Sequence, residues 1–227
     1  MNSKKVKSIV WVIILVIIIG AMAYYFWPKG QSQPAVDNGL FNFKVMRNDL
    51  LPEEKDKYLN DFNLTKEALA NDPNDFYAML NLGMIKKYIG DYDGAELAWV
   101  KAGELQPKNS TSFGNLADLY ANFLKDYNQA IPAYQTAIAN SMGEEKNLRF
   151  YRSFAEFYLY YLKDDKKAEE ILLDGIKNNP TSGELMVVLG NFYRDKGEKQ
   201  NALEYYQKAY KLDPTNTAIS AEIKKLQ

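Results

Sequence analysis

The chain contains no cysteine and no histidine. Without cysteine it can form no disulfide, and it offers no thiolate as a nucleophile or metal ligand. Without histidine it lacks the side chain that most often serves as a general acid or base and as a zinc ligand. Because these two absences remove most common designs of catalytic and metal sites, we expect a protein that is not an enzyme and that binds no metal or cofactor.

The sequence also lacks an excess of charge of one sign. Its 28 basic and 29 acidic residues nearly balance, and no basic block follows the first seven residues. Surfaces that bind DNA or RNA are usually strongly basic, because they neutralise phosphates. There is no glycine-rich phosphate-binding loop either. We therefore expect that the partner is neither a nucleic acid nor a small-molecule substrate.

The long hydrophobic run of the sequence is at residues 8–27, which read SIVWVIILVIIIGAMAYYFW and include no charge. A helix of this length, rising about 1.5 Å per residue, spans a hydrocarbon layer of about 30 Å. Lys4, Lys5 and Lys7 precede the run, and positive charge at one end of a span favours the cytoplasmic side. We predict a single transmembrane helix in the cell membrane, with residues 1–7 in the cytoplasm and the larger C-terminal part outside it.

A cleaved signal peptide is the alternative interpretation of this run. Residues 21–23, Ala-Met-Ala, have the small-x-small form of a cleavage site. The aromatic residues 24–27 favour the anchor, because they extend the run to a full span and aromatic rings prefer the membrane interface. Cleavage after Ala23 would instead give a secreted, soluble binding protein.

The sequence that follows divides into a linker and a helical part. Residues 28–47 begin with PKGQSQPAVDN, a polar stretch rich in proline and glycine that is typical of a flexible linker. Residues 48–75 contain a helical pattern, which we interpret as an N-terminal capping helix or a degenerate repeat.

From residue 72 onward the chain is repetitive. The prolines give the clearest period, since Pro73 and Pro107 are 34 residues apart and so are Pro180 and Pro214. A period of this length is typical of arrays in which each repeat is one helix–turn–helix unit. We therefore expect pairs of antiparallel helices stacked along the chain.

Small residues recur inside each unit at linked positions. Two antiparallel helices approach closely only where a side chain is nearly absent, and large side chains then fill the flanking gaps. The small pairs are Gly83 with Ala95, Ala117 with Ala130, Ala155 with Ala168, and Gly190 with Ala202. A large residue follows the second member of each pair by four positions, at Trp99, Tyr134, Leu172 and Tyr206.

This pattern resembles the tetratricopeptide-repeat (TPR) family. Residues 183–216 match it most fully, with Leu189, Gly190, Tyr193, Ala202, Tyr206, Ala209 and Pro214. The resemblance implies an all-α fold, an antiparallel helix-turn-helix TPR array forming a right-handed superhelix, here preceded by the single transmembrane helix. It implies four units within residues 76–216, at 76–109, 110–147, 148–182 and 183–216, and a C-terminal capping helix at residues 217–227.

The two middle units depart from the pattern. The distances from Tyr120 to Ala130 and from Tyr158 to Ala168 are each one residue longer than the family pattern. Both units share a Leu-Lys-Asp sequence just before the second helix, ending at Asp126 and at Asp164. We therefore predict that the extra residue lengthens the turn between the two helices.

The resemblance also indicates a binding surface, because the first helices of TPR units line a groove. Tyrosine, methionine, arginine and asparagine give a surface that suits a protein partner or an extended peptide. The predicted groove residues are Tyr77, Asn81, Met84, Tyr88, Asn115, Asn122, Arg149, Arg152, Tyr160, Asn191 and Arg194.

The function that these observations predict is that of a membrane-anchored scaffold. Its TPR array would recruit a client or assembly partner in the cell envelope by protein–protein interaction. A permanent structural subunit of a secretion, pilus or cytochrome-assembly complex is the alternative.

Overall fold

The computed structural model describes residues 39–144 and 146–227. The predicted transmembrane helix at residues 8–27 and the cleavage site after Ala23 lie outside this part of the chain. Within it, no helix combines the length and apolar character that a membrane crossing requires. Residues 43–227 form one compact unit, whereas residues 39–42 belong to a separate one and form a turn.

The described residues of the compact unit are helical and contain no strand. The helices follow one another with short connections, so that each neighbour along the chain is also a neighbour in space. Their bounds are α1 (Pro52–Asn71), α2 (Phe76–Tyr88), α3 (Tyr92–Leu105), α4 (Ser110–Leu119), α5 (Tyr127–Asn140), α6 (Lys146–Phe157), α7 (Asp165–Asn178), α8 (Gly183–Asp195), α9 (Lys199–Leu212) and α10 (Thr217–Leu226). The pairs α2/α3, α4/α5, α6/α7 and α8/α9 are four helix–turn–helix units with α1 before and α10 after them.

The chain just before α1 differs from the predicted flexible linker at residues 28–47. Backbone N–H groups of Met46 and Arg47 donate to the carbonyl of Ile89 at 2.7 and 3.2 Å. The Phe43 ring packs on the Phe62 ring of α1, with centroids 5.4 Å apart. Residues 43–47 are therefore held against the first helices, which the composition of the predicted linker did not indicate.

Short acidic and amide side chains begin most of the helices. The Asp75 carboxylate accepts hydrogen bonds from the N–H groups of Tyr77 and Ala78, at 2.9 and 3.0 Å. An aspartate at this position satisfies N–H groups that have no partner inside the helix, and its charge complements the helix dipole. Asp91, Asp126 and Asp164 do the same at the starts of α3, α5 and α7.

The small residues lie where the helices of each unit approach most closely. The pairs predicted from the spacing are all buried, and the large residues that follow them, among them Trp99 and Tyr206, are buried as well. A Cβ built on Gly83 would lie 2.4 Å from the Trp99 indole nitrogen, which itself donates to the carbonyl of Leu80 at 3.1 Å. The absence of a side chain at Gly83 is therefore what lets the indole lie across α2.

The extra residue of the two middle units lies in the end of the first helix and not in the turn, which corrects the prediction. Tyr120–Leu124 and Tyr158–Leu162 form wide π-helical turns that continue α4 and α6. In the first and last units, the N–H that closes the helix end bonds to the carbonyl five residues earlier, as in the bond from Glu198 to Tyr193. In the third unit, Asp164 bonds to Tyr158, six residues earlier.

Two lysines take the left-handed backbone conformation that closes these π-helical turns. Lys125 has φ 58° and Lys163 has φ 57°, whereas the corresponding residues of the first and last units are Gly90 and Gly197. A side chain in this conformation brings Cβ close to the following carbonyl oxygen, at a cost of about 1–2 kcal/mol that glycine avoids.

We predict that Lys163→Gly raises the free energy of unfolding by about 0.5–1 kcal/mol, because glycine relieves the strained conformation. The measurement is urea-induced unfolding followed by helical circular dichroism. Lys208→Gly, on an exposed position inside α9, is the matched control and should lower the free energy by about 1 kcal/mol. A loss of similar size in both variants would contradict the prediction.

A tyrosine on the first helix of one unit links to the second helix of the preceding unit. The Tyr120 hydroxyl donates to the Glu96 carboxylate at 2.8 Å, and the Tyr193 hydroxyl donates to Glu169. Burial and these hydrogen bonds raise the pKa of both tyrosines above the ordinary value, so both stay neutral near neutral pH. Ile131 occupies the corresponding place between the second and third units, and it offers no acceptor to Tyr158.

Candidate functional site

A cleft opens between α4 and α6, the first helices of the two middle units. Its volume is about 560 Å³. Polar side chains of both helices and the π-helical turns that follow them form its walls, and aromatic rings form its floor. It is the natural candidate for a binding site, because concave surfaces with an apolar floor and a few polar groups are where proteins bind ligands.

Three buried rings make the floor of the cleft. Tyr134 of α5 and Phe150 and Phe157 of α6 line it while remaining almost fully buried. A Cβ built on Gly114 of α4 would lie 2.2 Å from Cε1 of Phe150, so any larger residue at that position would displace the ring. Burial is also the main reason that the pKa of Tyr134 is raised, which keeps this part of the floor uncharged.

The π-helical turns supply the mouth of the cleft. Asn122 lies in the turn after α4, and Tyr160 and Tyr161 lie in the turn after α6. The Tyr161 hydroxyl donates to the Asn122 side-chain oxygen. The extra residue that the sequence shows in each middle unit therefore shapes this mouth.

A chain of polar contacts continues from the mouth to the first unit. The Asn122 amide donates to Asp118 at 2.7 Å, and the Lys87 ammonium of α2 donates to the other oxygen of the same carboxylate. The Lys87 ammonium also lies 4.6 Å from the centroid of the Phe123 ring. Because each member of this chain already has a partner, we regard Asp118 and Asn122 as groups that fix the geometry of the mouth.

Of the eleven residues predicted to line a groove, four line this cleft. They are Asn115, Asn122, Arg149 and Tyr160. Asn115 and Arg149 form no side-chain hydrogen bond with any residue that the structure describes, and Tyr160 is 61 % exposed. These are the predicted residues whose binding groups remain available to a ligand.

Four predicted residues lie on α2, outside the cleft. Tyr77 and Met84 are exposed there. The Tyr88 ring stacks on Tyr58 of α1 at 5.5 Å, and the Asn81 amide donates to the Thr65 hydroxyl of α1 at 2.7 Å. Tyr88 and Asn81 thus join α2 to the capping helix.

The remaining three predicted residues already have partners within the array. Arg152 pairs with Glu184 of α8 at 3.1 Å. Arg194 pairs with Glu222 of α10 at 3.2 Å and with its neighbour Asp195. Asn191 accepts a hydrogen bond from the Tyr206 hydroxyl at 2.7 Å. These contacts join one unit to the next or fix the packing inside a unit.

Several residues of the cleft were not among the predicted ones. Ser153 lies on the same face of α6 as Arg149 and Glu156, four residues after the first and three before the second, and that periodicity is a signal in the sequence. Phe150 and Tyr161 carry no such signal, because Phe150 faces the cleft only where Gly114 makes room and Tyr161 does so only after the π-helical turn.

The cleft offers groups for hydrogen bonding and apolar contact. Asn115 can donate and accept at once, which suits a peptide backbone. Among the residues that the structure describes, no group of acidic side chains is arranged to hold a metal ion.

Two stretches of the chain match the tetratricopeptide repeat family. The first, at residues 110–140, contains α4 and α5, and the second, at residues 183–216, contains α8 and α9. Both stretches are similar to tetratricopeptide repeats, as the small-residue pattern predicted, and the described residues form the predicted all-α array of helix pairs.

Solved structures share this fold. MamA has a TM-score of 0.54 and 22% identity, covering 74% of this chain and 98% of its own. PilW, a type IV pilus biogenesis factor, has a TM-score of 0.54 and 16% identity, covering 75% of this chain and 79% of its own. At these identities the likeness is one of fold.

One curated relative is the anaphase-promoting complex subunit 3 of Schizosaccharomyces pombe. It is 25% identical over 170 residues, which are 75% of this chain. The chain spans about a quarter of the length of that relative, since the match covers 24% of it.

Proposed function

We propose that this protein is a non-catalytic scaffold that binds a segment of a partner protein in the cleft between α4 and α6. The observation that carries the proposal is the cleft itself, with its floor of buried rings and its wall of available polar groups. An aromatic floor contributes contact area, and amide and guanidinium groups contribute directional hydrogen bonds, which together are typical of protein-binding surfaces.

The first-helix residues differ in whether their side chains already have partners, and this difference supports the location. Side chains that bond to neighbours within the array are those of Arg152, Arg194 and Asn191. Asn115 and Tyr160 form no such bond with the described residues, and both line the cleft, from α4 and from the π-helical turn after α6. An exposed tyrosine provides a rigid anchor, and an available amide provides an adaptable hydrogen-bonding group.

The absence of cysteine and histidine from the whole sequence supports binding in place of catalysis. The carboxylate of Asp118, which lines the cleft, is engaged by Lys87 and Asn122. Both oxygens of this carboxylate therefore already accept hydrogen bonds within the protein.

The proposal includes anchoring in the cell membrane through residues 8–27, with the array outside the cytoplasm. Its support is the uncharged run of that segment and the three lysines that precede it. Extraction of isolated membranes with alkaline carbonate tests the anchor. The full chain should remain with the membranes, and a chain that is released, or one shortened by cleavage after Ala23, would refute it.

We predict that Asn115→Ala and Tyr160→Ala each weaken partner binding about tenfold or more, because each removes a group that contacts the ligand in the cleft. The partner is first captured from a cell extract with the full chain in mild detergent and identified by mass spectrometry. Its affinity for each variant is then measured by isothermal titration calorimetry.

The control variants lie on second helices, away from the cleft. Gln129→Ala removes an exposed amide from α5, and Leu173→Ala removes an exposed apolar side chain from α7. Both should bind like the parent. If they abolish binding while the two cleft variants leave it unchanged, the partner binds the opposite face and the proposed site is wrong.

A further inference from the structure

Two charged residues of opposite sign lie on the cleft side of α6. Arg149 and Glu156 are seven residues apart, with Ser153 between them and Tyr160 four residues after Glu156, so all four share one face of the helix. All four line the cleft. The helical rise places the arginine and the glutamate about 10.5 Å apart along the helix axis.

These two charges differ from the others on the first-helix face. Elsewhere the array neutralises its own charges across neighbouring units, as Lys87 does with Asp118 and Arg152 does with Glu184. Arg149 and Glu156 form no ion pair with any residue that the structure describes. Both are exposed, and the Arg149 guanidinium lies 5.1 Å from the centroid of the Phe150 ring on the cleft floor.

We infer that the cleft recognises an extended peptide segment bearing one acidic and one basic side chain about three residues apart, with an apolar side chain between them. This inference rests on the proposed function, because it names the ligand of the same cleft. The acidic group pairs with Arg149, the basic group pairs with Glu156, and the apolar side chain contacts the Phe150 and Phe157 rings.

The spacing of the two charges fits an extended segment. In the polyproline II conformation, residues i and i+3 point to the same side about 9.3 Å apart, close to the separation of the two charges on α6.

The first experiment selects peptides from a displayed random library on the full chain in mild detergent. Peptides enriched on the parent protein should combine one acidic and one basic residue at a separation of about three. Peptides enriched on Arg149→Glu should carry two basic residues in those places, and peptides enriched on Glu156→Lys should carry two acidic ones. Reversing one charge of the site thus reverses one charge of the ligand.

Synthetic versions of the three peptide classes then give affinities by fluorescence polarisation. The parent should bind the mixed-charge peptide about fivefold more tightly than either like-charged peptide, and each variant should prefer its own like-charged peptide by a similar factor. Raising the salt concentration should reduce these differences, because the charged pairs are exposed. Enriched peptides without the charge pattern, or the same consensus on all three proteins, would overturn the inference.

A further variant distinguishes an error in the inferred charge pattern of the ligand from an error in the proposed function. Gly114→Leu forces the Phe150 ring out of its place and obstructs the cleft without changing its charge. If the enriched peptides lack the charge pattern but lose binding to Gly114→Leu, the cleft binds peptides and only the inferred chemistry is wrong. If they bind Gly114→Leu as well as the parent, and circular dichroism shows that the variant is folded at the temperature of the assay, the cleft is not the site and both proposals fail.

Discussion

Replacing Lys86 by alanine should lower the free energy of unfolding by about 3–5 kcal/mol. Lys86 is fully buried, and its ammonium group donates to the Asp91 carboxylate at 2.7 Å. Asp91 also accepts from the N–H of Gly94 at the start of α3, so the pair joins the two helices of the first unit. Removing the lysine leaves a largely buried carboxylate without its counter-charge and opens a cavity beside Phe62, whose ring centroid lies 5.7 Å from the ammonium.

Denaturant unfolding measures this effect, and two further variants are compared with Lys86→Ala. Lys101→Ala removes a lysine from an exposed pair with Glu104 and should change the free energy by less than about 1 kcal/mol. The double variant Lys86→Met and Asp91→Asn should recover much of the loss, since it removes both charges while asparagine still caps the helix. Equal losses in Lys86→Ala and Lys101→Ala would show that the buried pair contributes no more to the free energy of unfolding than the exposed pair does.

Replacing Gly83 by alanine should lower the free energy of unfolding by about 1–3 kcal/mol. Alanine is ordinarily a better helix former than glycine by about 1 kcal/mol. Helix propensity in α2 alone would therefore raise the free energy of unfolding. The added methyl group would, however, lie 2.4 Å from the Trp99 indole nitrogen, which is too close for a methyl carbon and a nitrogen that share no bond. The indole has to move, and it then loses its hydrogen bond to the Leu80 carbonyl.

Gly183→Ala is the matched control for this prediction. It is the same substitution at the start of α8, where the nearest atoms to the added methyl lie at 3.6 Å, an ordinary contact distance. It should leave the free energy of unfolding unchanged or raise it by up to about 1 kcal/mol. Thermal and urea-induced unfolding of both variants give the comparison, and a stabilised Gly83→Ala would contradict the close packing of α2 on Trp99.

The repeat period made the packing inside each unit predictable. A large residue follows each position such as Ala95 or Ala202 at a fixed spacing of four, and steric demand at the seam between two helices leaves few residue types that fit. The location of the extra residue in the middle units was not predictable in the same way. A turn or a helix end can absorb one residue, and a lysine at position 125 or 163 gives no sign of the left-handed conformation that it adopts.

The candidate site was predictable only in part, for a related reason. The family register placed Asn115, Arg149 and Tyr160 on first helices, and periodicity is sufficient to identify that face. Whether a polar residue on this face is available to a ligand depends on which residue lies opposite it in the next unit. Arg152 has Glu184 opposite it, whereas Arg149 has no such partner in the described part of the chain, and this difference arises from residues more than thirty positions away.

The junction between the two middle units has a consequence for how the array unfolds. The stability of a repeat protein is approximately a sum over single units and over contacts between neighbours, so cooperativity is lost first at the junction with the weakest contacts. Ile131 deprives this junction of the tyrosine–glutamate bond that its two neighbours have. The cleft lies across the same junction, with α4 on one side and α6 on the other. A ligand held by both walls adds contacts between the two halves of the array, and we expect it to make their unfolding more cooperative.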